Sequence, residues 1–209
     1  MKKKKLNPRR IPISKALVDK NAILEEATQD DMYRAWLLVV HSILELELLP
    51  ASEIAALADS VNKCIASTSA YDSVAVPVRV RRAAFSDRAQ KSRDSELQRA
   101  EGLMGIAVPY DHLNPDHIHS AVQLEAFKKK VCRVAIHTSL CVLCLGLEAS
   151  KRFSEDELRR IFFNADMTMA EIDNGINSYT ELETTLSAQM LQVSITEKEY
   201  SSVNVSLKE

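Results

Sequence analysis

Apolar residues recur with helical spacing along most of the first seventy residues. From Ala35 to Leu49 they cover nearly the whole circumference of a helix, which indicates a helix buried on several sides. Ser14 is a suitable N-cap for this first helix, and Pro50 ends it. A second helix is predicted from Ser52 to Ser67, because its apolar residues keep the three-four spacing of one helix face.

The middle of the chain has a different pattern. Valines alternate with other residues over 74–80, which is the period of a strand. Pro77 within this run favours an edge strand or an extended linker. The following residues, 81–105, predict a polar helix with a thin apolar stripe, which we expect to pack on one side only.

A long helix is predicted after the turn at Asn114 and Pro115. Asparagine suits the N-cap and proline the first helical position. This helix extends to about Ser150 and is apolar nearly all round from Val134 to Leu147. That uncharged run has fourteen residues, whereas a bilayer needs about 20. We therefore expect no membrane-spanning segment.

Two capping patterns predict the remaining helices. Ser154 and Ser178 are each followed three residues later by glutamate, which is the spacing of a capping box. The first of these helices is expected to end near Gly175, and the second near residue 193. The polar tail, 194–209, is interpreted as frayed, with a weak hairpin as the second choice.

These patterns predict an all-α protein, a compact bundle of five or six helices with a short extended segment near 74–80. The chain has 209 residues and only four glycines, which argues against a β-rich fold with many tight turns. The predicted parts are a basic arm at 1–13, a helical hairpin at 14–70, a basic linker with a polar helix at 71–112, a second hairpin plus a final helix at 113–193, and the polar tail at 194–209.

A short motif occurs in both halves of the chain. Leu6-Asn7-Pro8 recurs as Leu113-Asn114-Pro115, and each copy precedes a long helix with an apolar second half. The similarity allows two interpretations. Either the two hairpins are a pseudo-repeat within one helical core, or two amphipathic hairpins align by their pattern alone.

The stretch NPRRIPISKA, followed by an alanine-rich helix and an AW-LL-V pattern, carries a family resemblance. It is similar to the opening of small helical proteins carried by phages, prophages and mobile elements of Gram-positive bacteria. Residues 126–186 resemble them too, with an apolar helix, a polar break, ELRRIF and YTELETTL in order. The resemblance covers about two-thirds of the chain in two pieces. It implies an origin in a mobile element and supplies no catalytic residues.

Charge is unevenly distributed along the chain. The net charge is −2, but residues 1–15 carry +7, residues 22–60 carry −7 and residues 79–99 carry +4. Basic segments of this kind contact phosphates or acidic proteins, or are simply solvated. The candidate partner or nucleic-acid contacts are Lys2, Lys3, Lys4, Lys5, Arg9, Arg10, Arg79, Arg81, Arg82, Arg88, Lys91, Arg93 and Arg99.

Two groups of residues suggest a metal or proton-transfer site at first sight. His137, Cys141 and Cys144 share one helix face, and zinc binds such ligands. Their flanks are purely apolar, however, so core packing of reduced thiols is the preferred interpretation. His112, His117 and His119 lie among carboxylates, but residues two apart on a helix face different ways. We predict no catalytic, cofactor or metal residues.

We therefore expect a non-enzymatic accessory protein of a phage or mobile element, acting in the bacterial cytoplasm. It would dock onto a host protein or nucleoprotein complex that handles nucleic acid, for example as an anti-CRISPR or other anti-defence inhibitor. The alternatives are a DNA-binding regulator, whose only basic helical stretch near a break is LRRIFF, and a self-assembling homo-oligomer. No cofactor and no membrane partner are expected.

Overall fold

A computed structural model describes residues 30–67, 95–107, 120–195 and 203–208. This part of the chain forms six helices and one small antiparallel sheet, which confirms the predicted all-α class. The elements are α1 (Asp31–Glu45), α2 (Ala51–Ser67), α3 (Ser95–Met104), α4 (Ala121–Ser150), α5 (Glu155–Asp173), α6 (Tyr179–Ala188), β1 (Leu191–Ile195) and β2 (Val203–Leu207). Helix α3 confirms the C-terminal part of the predicted polar helix.

Helix α4 lies at the centre of the molecule. It packs against α1, α2, α3 and α5, and every residue from Val134 to Leu147 is buried. This is the stretch that the sequence makes apolar nearly all round, so its burial on all sides follows from its composition. By length and composition α4 would also qualify to cross a membrane, but 83% of its most apolar stretch is buried inside the protein.

Helix α1 is the second element buried on several sides. It packs against α4, α5, α6 and β1, and its residues Ala35 to Val40 are all buried. The predicted first helix was too long at its C-terminal end, because α1 ends at Glu45 and not at Leu49. Asp30 has non-helical angles of φ −124° and ψ 19°, and Ser14 lies outside the described residues. Asp31 lies in the first turn, where its carboxyl accepts from the N–H of Met32.

The predicted caps of α5 and α6 are confirmed. Ser154 and Glu157 form a reciprocal capping box, and the Ser178 hydroxyl accepts from the Glu181 N–H. Gly175 has φ 71° and occupies the position after the cap of α5. The N–H of Ile176 then donates to the carbonyl of Glu171, which completes a Schellman motif.

Helix α4 begins later than the sequence pattern predicted. Ser120 is extended, with φ −148° and ψ 157°, and its hydroxyl accepts from the N–H of Gln123. Serine caps a helix as well as asparagine does, so Ser120 provides the cap from which α4 begins. Asn114 and Pro115 lie outside the described residues, as does the extended segment predicted near 74–80.

The described part of the C-terminal tail belongs to an antiparallel strand pair, so the first interpretation of the tail as frayed is wrong there and the second choice, a hairpin, is confirmed. Helix α6 ends at Ala188 instead of continuing to Val193, and β1 pairs with β2 in antiparallel register, with Val193 opposite Val205. Alternate residues of both strands, Leu191, Val193, Val203 and Val205, are buried. The sparse apolar alternation of the tail therefore covers the core with one face of a sheet. Asn62 of α2 fixes β2 by donating to the carbonyl of Val203 at 2.6 Å.

Glu47 ends α1 in a backbone conformation that suits glycine. It has φ 53°, and the N–H of Leu48 donates to the carbonyl of Ile43, as in a Schellman motif. We expect Glu47→Gly to raise the free energy of unfolding by about 1 kcal/mol, because a side chain at positive φ costs about that much. Urea denaturation measures the change. Ala56→Gly, on the exposed side of α2, should instead lower it by about 1 kcal/mol, and a loss at both positions would contradict the assignment.

Gly146 of α4 packs directly against side chains of α2. A Cβ added there would lie 2.7 Å from Cγ1 of Val61 and 3.4 Å from Cγ1 of Ile65. Val61 is fully buried, and its β-branched side chain has few rotamers to escape into. The absence of a side chain at position 146 therefore sets the distance between these two helices.

We expect Gly146→Ala to lower the free energy of unfolding by about 1 kcal/mol net. Overpacking costs about 1–3 kcal/mol, and the better helix propensity of alanine returns about 1 kcal/mol. Gly102→Ala is the matched control, since among the described residues nothing beyond its own helix backbone and chain neighbours lies within 4 Å of the added Cβ, and it should be stabilising. Adding Val61→Ala to Gly146→Ala should cost less than Val61→Ala costs in the native protein. Equal stabilisation at Gly102 and Gly146 would contradict the close approach.

Candidate functional site

A group of interacting polar side chains in the described chain lies between α4 and α5. Helix α4 places Arg133 and His137 four residues apart, and therefore on one face. Helix α5 places Asp166 and Asp173 seven residues apart, about two turns, opposite that face. We call these four residues the α4–α5 cluster.

His137 is the buried member of the α4–α5 cluster, with 2% of its surface exposed. Its Nδ1 lies 2.9 Å from the carbonyl oxygen of Arg133, and its Nε2 lies 2.9 Å from Oδ1 of Asp166. A carbonyl and a carboxylate can only accept, so both contacts are hydrogen bonds when the imidazole carries both protons. The hydrogen bond from His137 lowers the pKa of Asp166 below its usual value, against the opposing effect of burial.

Arg133 connects the cluster to the surface. Its guanidinium lies 3.6 Å from Oδ1 of Asp166 and 3.3 Å from Oδ2 of Asp173. The side chains of Arg133 and Asp173 are each more than a third exposed, so solvent weakens this part of the network. The cluster is thus a chain of charge-assisted contacts that runs from the core outward and ties α4 to α5.

Arg34 makes a second set of contacts on the α1 side of α4. Its Nη1 donates to Sγ of Cys132 at 2.9 Å, and its guanidinium lies 5.3 Å from the centre of the Tyr179 ring, within cation–π range. Burial raises the pKa of Cys132 although Arg34 opposes the shift. Burial also raises the pKa of Tyr179. Both groups therefore stay protonated near neutral pH, and Cys132 lacks the thiolate character of a nucleophile.

Asp31 is a buried carboxyl at the start of α1, with 4% of its surface exposed. It accepts from the N–H of Met32 at 2.7 Å and from the Ser139 side chain. Burial raises the pKa of Asp31 to about 6, although these hydrogen bonds and the charge of Arg34 lower it in part. The carboxyl therefore changes its charge inside the core within the pH range where proteins work.

A small cavity of about 210 Å³ lies where the hairpin meets α1 and α6. Leu37, Leu186 and Leu191 line it together with Lys208, and at its rim the Tyr33 hydroxyl donates to Oε1 of Glu183 at 2.7 Å. Cavities that hold cofactors or drug-sized ligands are about 300 Å³ or larger. This space suits one side chain or a few water molecules.

The polar contacts described above join one part of the protein to another. Both nitrogens of His137 are engaged, the Arg34 guanidinium is shared by a thiol and a ring, and the Asp31 carboxyl faces a serine. Each polar group at these positions is satisfied by another part of the protein, which is what buried polar groups require. The network therefore orients four helices relative to one another.

Of the predicted contact residues, Arg99 lies in the described part of the chain. Its Nη2 donates to Oε2 of Glu148 at 2.7 Å, so it joins α3 to α4. The remaining candidates lie outside the described residues: Lys2, Lys3, Lys4, Lys5, Arg9, Arg10, Arg79, Arg81, Arg82, Arg88, Lys91 and Arg93.

The two histidine groups have different outcomes. Cys141 and Cys144 are fully buried in the hydrophobic core, which confirms the packing interpretation, and His137 turns to Asp166 instead. Burial raises the pKa of Cys144 to about 12. Over residues 30–67, 95–107, 120–195 and 203–208 no group of three or more His, Cys, Asp or Glu side chains is arranged to hold a metal ion. His112, His117 and His119 lie outside these ranges.

The α4–α5 cluster was missed at the sequence level, and so was the buried Asp31. A signal existed in the pattern. His137 falls within an otherwise apolar helix face, four residues after Arg133, and Asp166 follows the buried Ala165 on a neighbouring helix. A histidine and a carboxylate on two adjacent buried faces predict a contact between them, but only once the helices are known to be neighbours.

The chain was compared with models of protein families, with curated proteins and with solved structures, and none of the three comparisons found a match.

Proposed function

We propose that this chain is a non-enzymatic binding protein of a phage or mobile element that docks onto a nucleic-acid-handling complex of its bacterial host, in the cytoplasm. The observation that carries the proposal is the division of charge. The described helical body holds 18 Asp and Glu against 12 Lys and Arg, a net charge of −6. The rest of the chain holds the other 11 acidic and 15 basic residues, a net charge of +4.

An acidic helical body complements the groove in which a host protein holds nucleic acid. Exposed carboxylates lie at several places on this body, among them Glu155 and Asp156 at the start of α5 and Glu181 and Glu183 on α6. An excess of acidic over basic side chains raises the rate of encounter with a basic partner, and the positions of the charges orient that partner. The basic segments of the same chain supply contacts of the opposite sign, to guide RNA or to an acidic protein surface.

Binding is favoured over catalysis by the state of the polar groups inside the helical body. His137, Cys132 and Asp31 are the residue types that do proton transfer or nucleophilic chemistry. Each is buried or half-buried and bonded to a neighbouring helix. These three residues hold the helices of the bundle together, and the exposed charged side chains are the groups that can recognise a partner.

An RNA-guided defence nuclease is the host complex that we propose first, because it combines a basic groove with bound RNA. The test is phage plating on two isogenic host strains, with and without the nuclease, each with and without this protein. The expected result is a rise in plating of about tenfold or more, confined to the nuclease-bearing strain. A rise of equal size in both strains, or none in either, would contradict the anti-defence role.

A DNA-binding regulator is the alternative function, and a measurement of duplex DNA binding distinguishes it from the inhibitor. The regulator's candidate, the basic stretch LRRIFF near a helix break, lies in α5, where Arg159 is 3.8 Å from Glu155 and 3.7 Å from Asp156, so acidic neighbours offset its charge. Binding to duplex DNA with a salt slope of about −0.9 per phosphate contact, lost when residues 2–10 are deleted, would support the regulator. The inhibitor proposal expects no such binding by the free protein.

A further inference from the structure

The outer face of α5 carries the largest apolar side chains that any helix in the described part of the chain leaves exposed together. Phe163 is 63% exposed and Met167 is 48% exposed, and at a spacing of four they lie side by side. The opposite face of α5 is buried against α1, α3 and α4 through residues such as Leu158, Phe162 and Ala165. Phe163 and Met167 therefore point away from the protein.

The same face has a charge of each sign, one at each end. Arg160 precedes Phe163 by three residues, and Glu171 follows Met167 by four. At about 100° per residue, Arg160 and Glu171 both lie on the same side of a line drawn parallel to the helix axis midway between Phe163 and Met167. We call these four residues the α5 face.

The order of these residues makes the α5 face complementary to itself. If a second copy of α5 lies antiparallel across a two-fold axis near residue 165, Phe163 faces Met167 of the second copy. The same axis places Arg160 within about one residue of Glu171 of the second copy, on the same side of the contact. By symmetry each contact occurs twice in the dimer. One brings the sulfur of Met167 against the ring of Phe163, and the other brings Arg160 near Glu171, a cation near an anion.

From this pattern we infer that the α5 face is the interface of a symmetric dimer, with a second copy of this chain as its occupant. One helix face per copy buries less surface than a permanent dimer does. The association is therefore weak, with a dissociation constant on the order of 10–100 µM. Self-association of this kind lies beyond the proposed docking function, because it uses a different surface and needs no host component.

The test is sedimentation equilibrium of the full-length protein over a range of concentrations that spans this constant. The weight-average mass should rise towards twice the 23.4 kDa of one chain. Phe163→Ser should hold it at the mass of one chain, whereas Val122→Ser, a control that is 54% exposed on α4, should leave the association unchanged. Circular dichroism verifies that each variant is folded, as expected for exposed positions.

A charge exchange identifies the register of the dimer. Arg160→Glu and Glu171→Arg should each weaken association by at least fivefold, and the double variant Arg160→Glu/Glu171→Arg should recover it. A protein that stays at one chain mass at every concentration would overturn the inference. So would a dimer that is indifferent to Phe163→Ser, or one that the double variant fails to restore.

Discussion

Replacing His137 by alanine is expected to lower the free energy of unfolding by about 3 kcal/mol. The substitution removes a side chain that is 2% exposed and leaves a cavity beside the core. It also leaves the Asp166 carboxylate without its hydrogen-bond partner, Nε2 of His137, and breaking a buried pair from one side costs about 3–5 kcal/mol. The lower figure is expected because Asp166 is partly exposed and keeps Arg133 at 3.6 Å. Urea denaturation at neutral pH measures the loss.

A double-mutant cycle isolates the contact itself. Asp166→Asn in the native protein should be destabilising, but the same change in the His137→Ala background should cost less, with a coupling of about 1 kcal/mol or more. Arg159→Ala is the control, since its ion pairs with Glu155 and Asp156 are exposed, and it should change stability by less than about 0.5 kcal/mol. Additive effects of His137→Ala and Asp166→Asn would contradict the proposed hydrogen bond.

Asp31→Asn is expected to stabilise the protein at pH 7 by about 2–3 kcal/mol. The folded-state pKa of Asp31 is about 6 and its ordinary value is 3.8, a difference worth about 3 kcal/mol when the group is ionised. Asparagine keeps an oxygen that can accept from the N–H of Met32 and carries no charge into the core. Its amide N–H groups need acceptors of their own, so the gain should fall short of the full difference.

The contribution of Asp31 to the free energy of unfolding changes with pH in a definite direction. Because the folded state binds this proton more tightly than the unfolded state does, the contribution of Asp31 to stability is fully present below pH 3.8. It is lost as the pH rises through about 6. The stability advantage of Asp31→Asn should therefore grow from pH 4 to pH 7 and be small at pH 4. A variant that is less stable than the native protein at pH 7, or an advantage that does not change with pH, would contradict the assignment.

The sequence pattern predicted best the features that depend on residues within one helix, namely its burial, its caps and its end. Helix α4 is apolar all round over Val134–Leu147 and is buried all round there. The Ser154 and Ser178 caps are local hydrogen bonds between residues three apart, so the residue types suffice to predict them. The end of α5 at Gly175 follows from a single residue that tolerates positive φ.

The features that were missed depend on which elements become neighbours. The hairpin is stable because one face of β1 and β2 lies on the core and Asn62 of α2 bonds to Val203, and no local pattern encodes that contact. The cluster around His137 needs α4 beside α5, and the raised pKa of Asp31 needs α4 beside α1. The sequence shows which residues are charged but not which groups they pair with. Arg99, a predicted partner contact, pairs with Glu148 and so joins two helices of the protein itself.

The proposal that this chain docks onto a host nucleic-acid-handling complex is tested most directly by affinity capture from host lysate, with and without nuclease treatment. The tagged protein should retain the same host nucleic-acid-handling complex in both samples, in stoichiometric amount. A complex reassembled from purified components should bind with the same stoichiometry. Loss of every host protein after nuclease treatment would mean that nucleic acid is the ligand. Recovery of this chain by itself in both samples would contradict docking altogether.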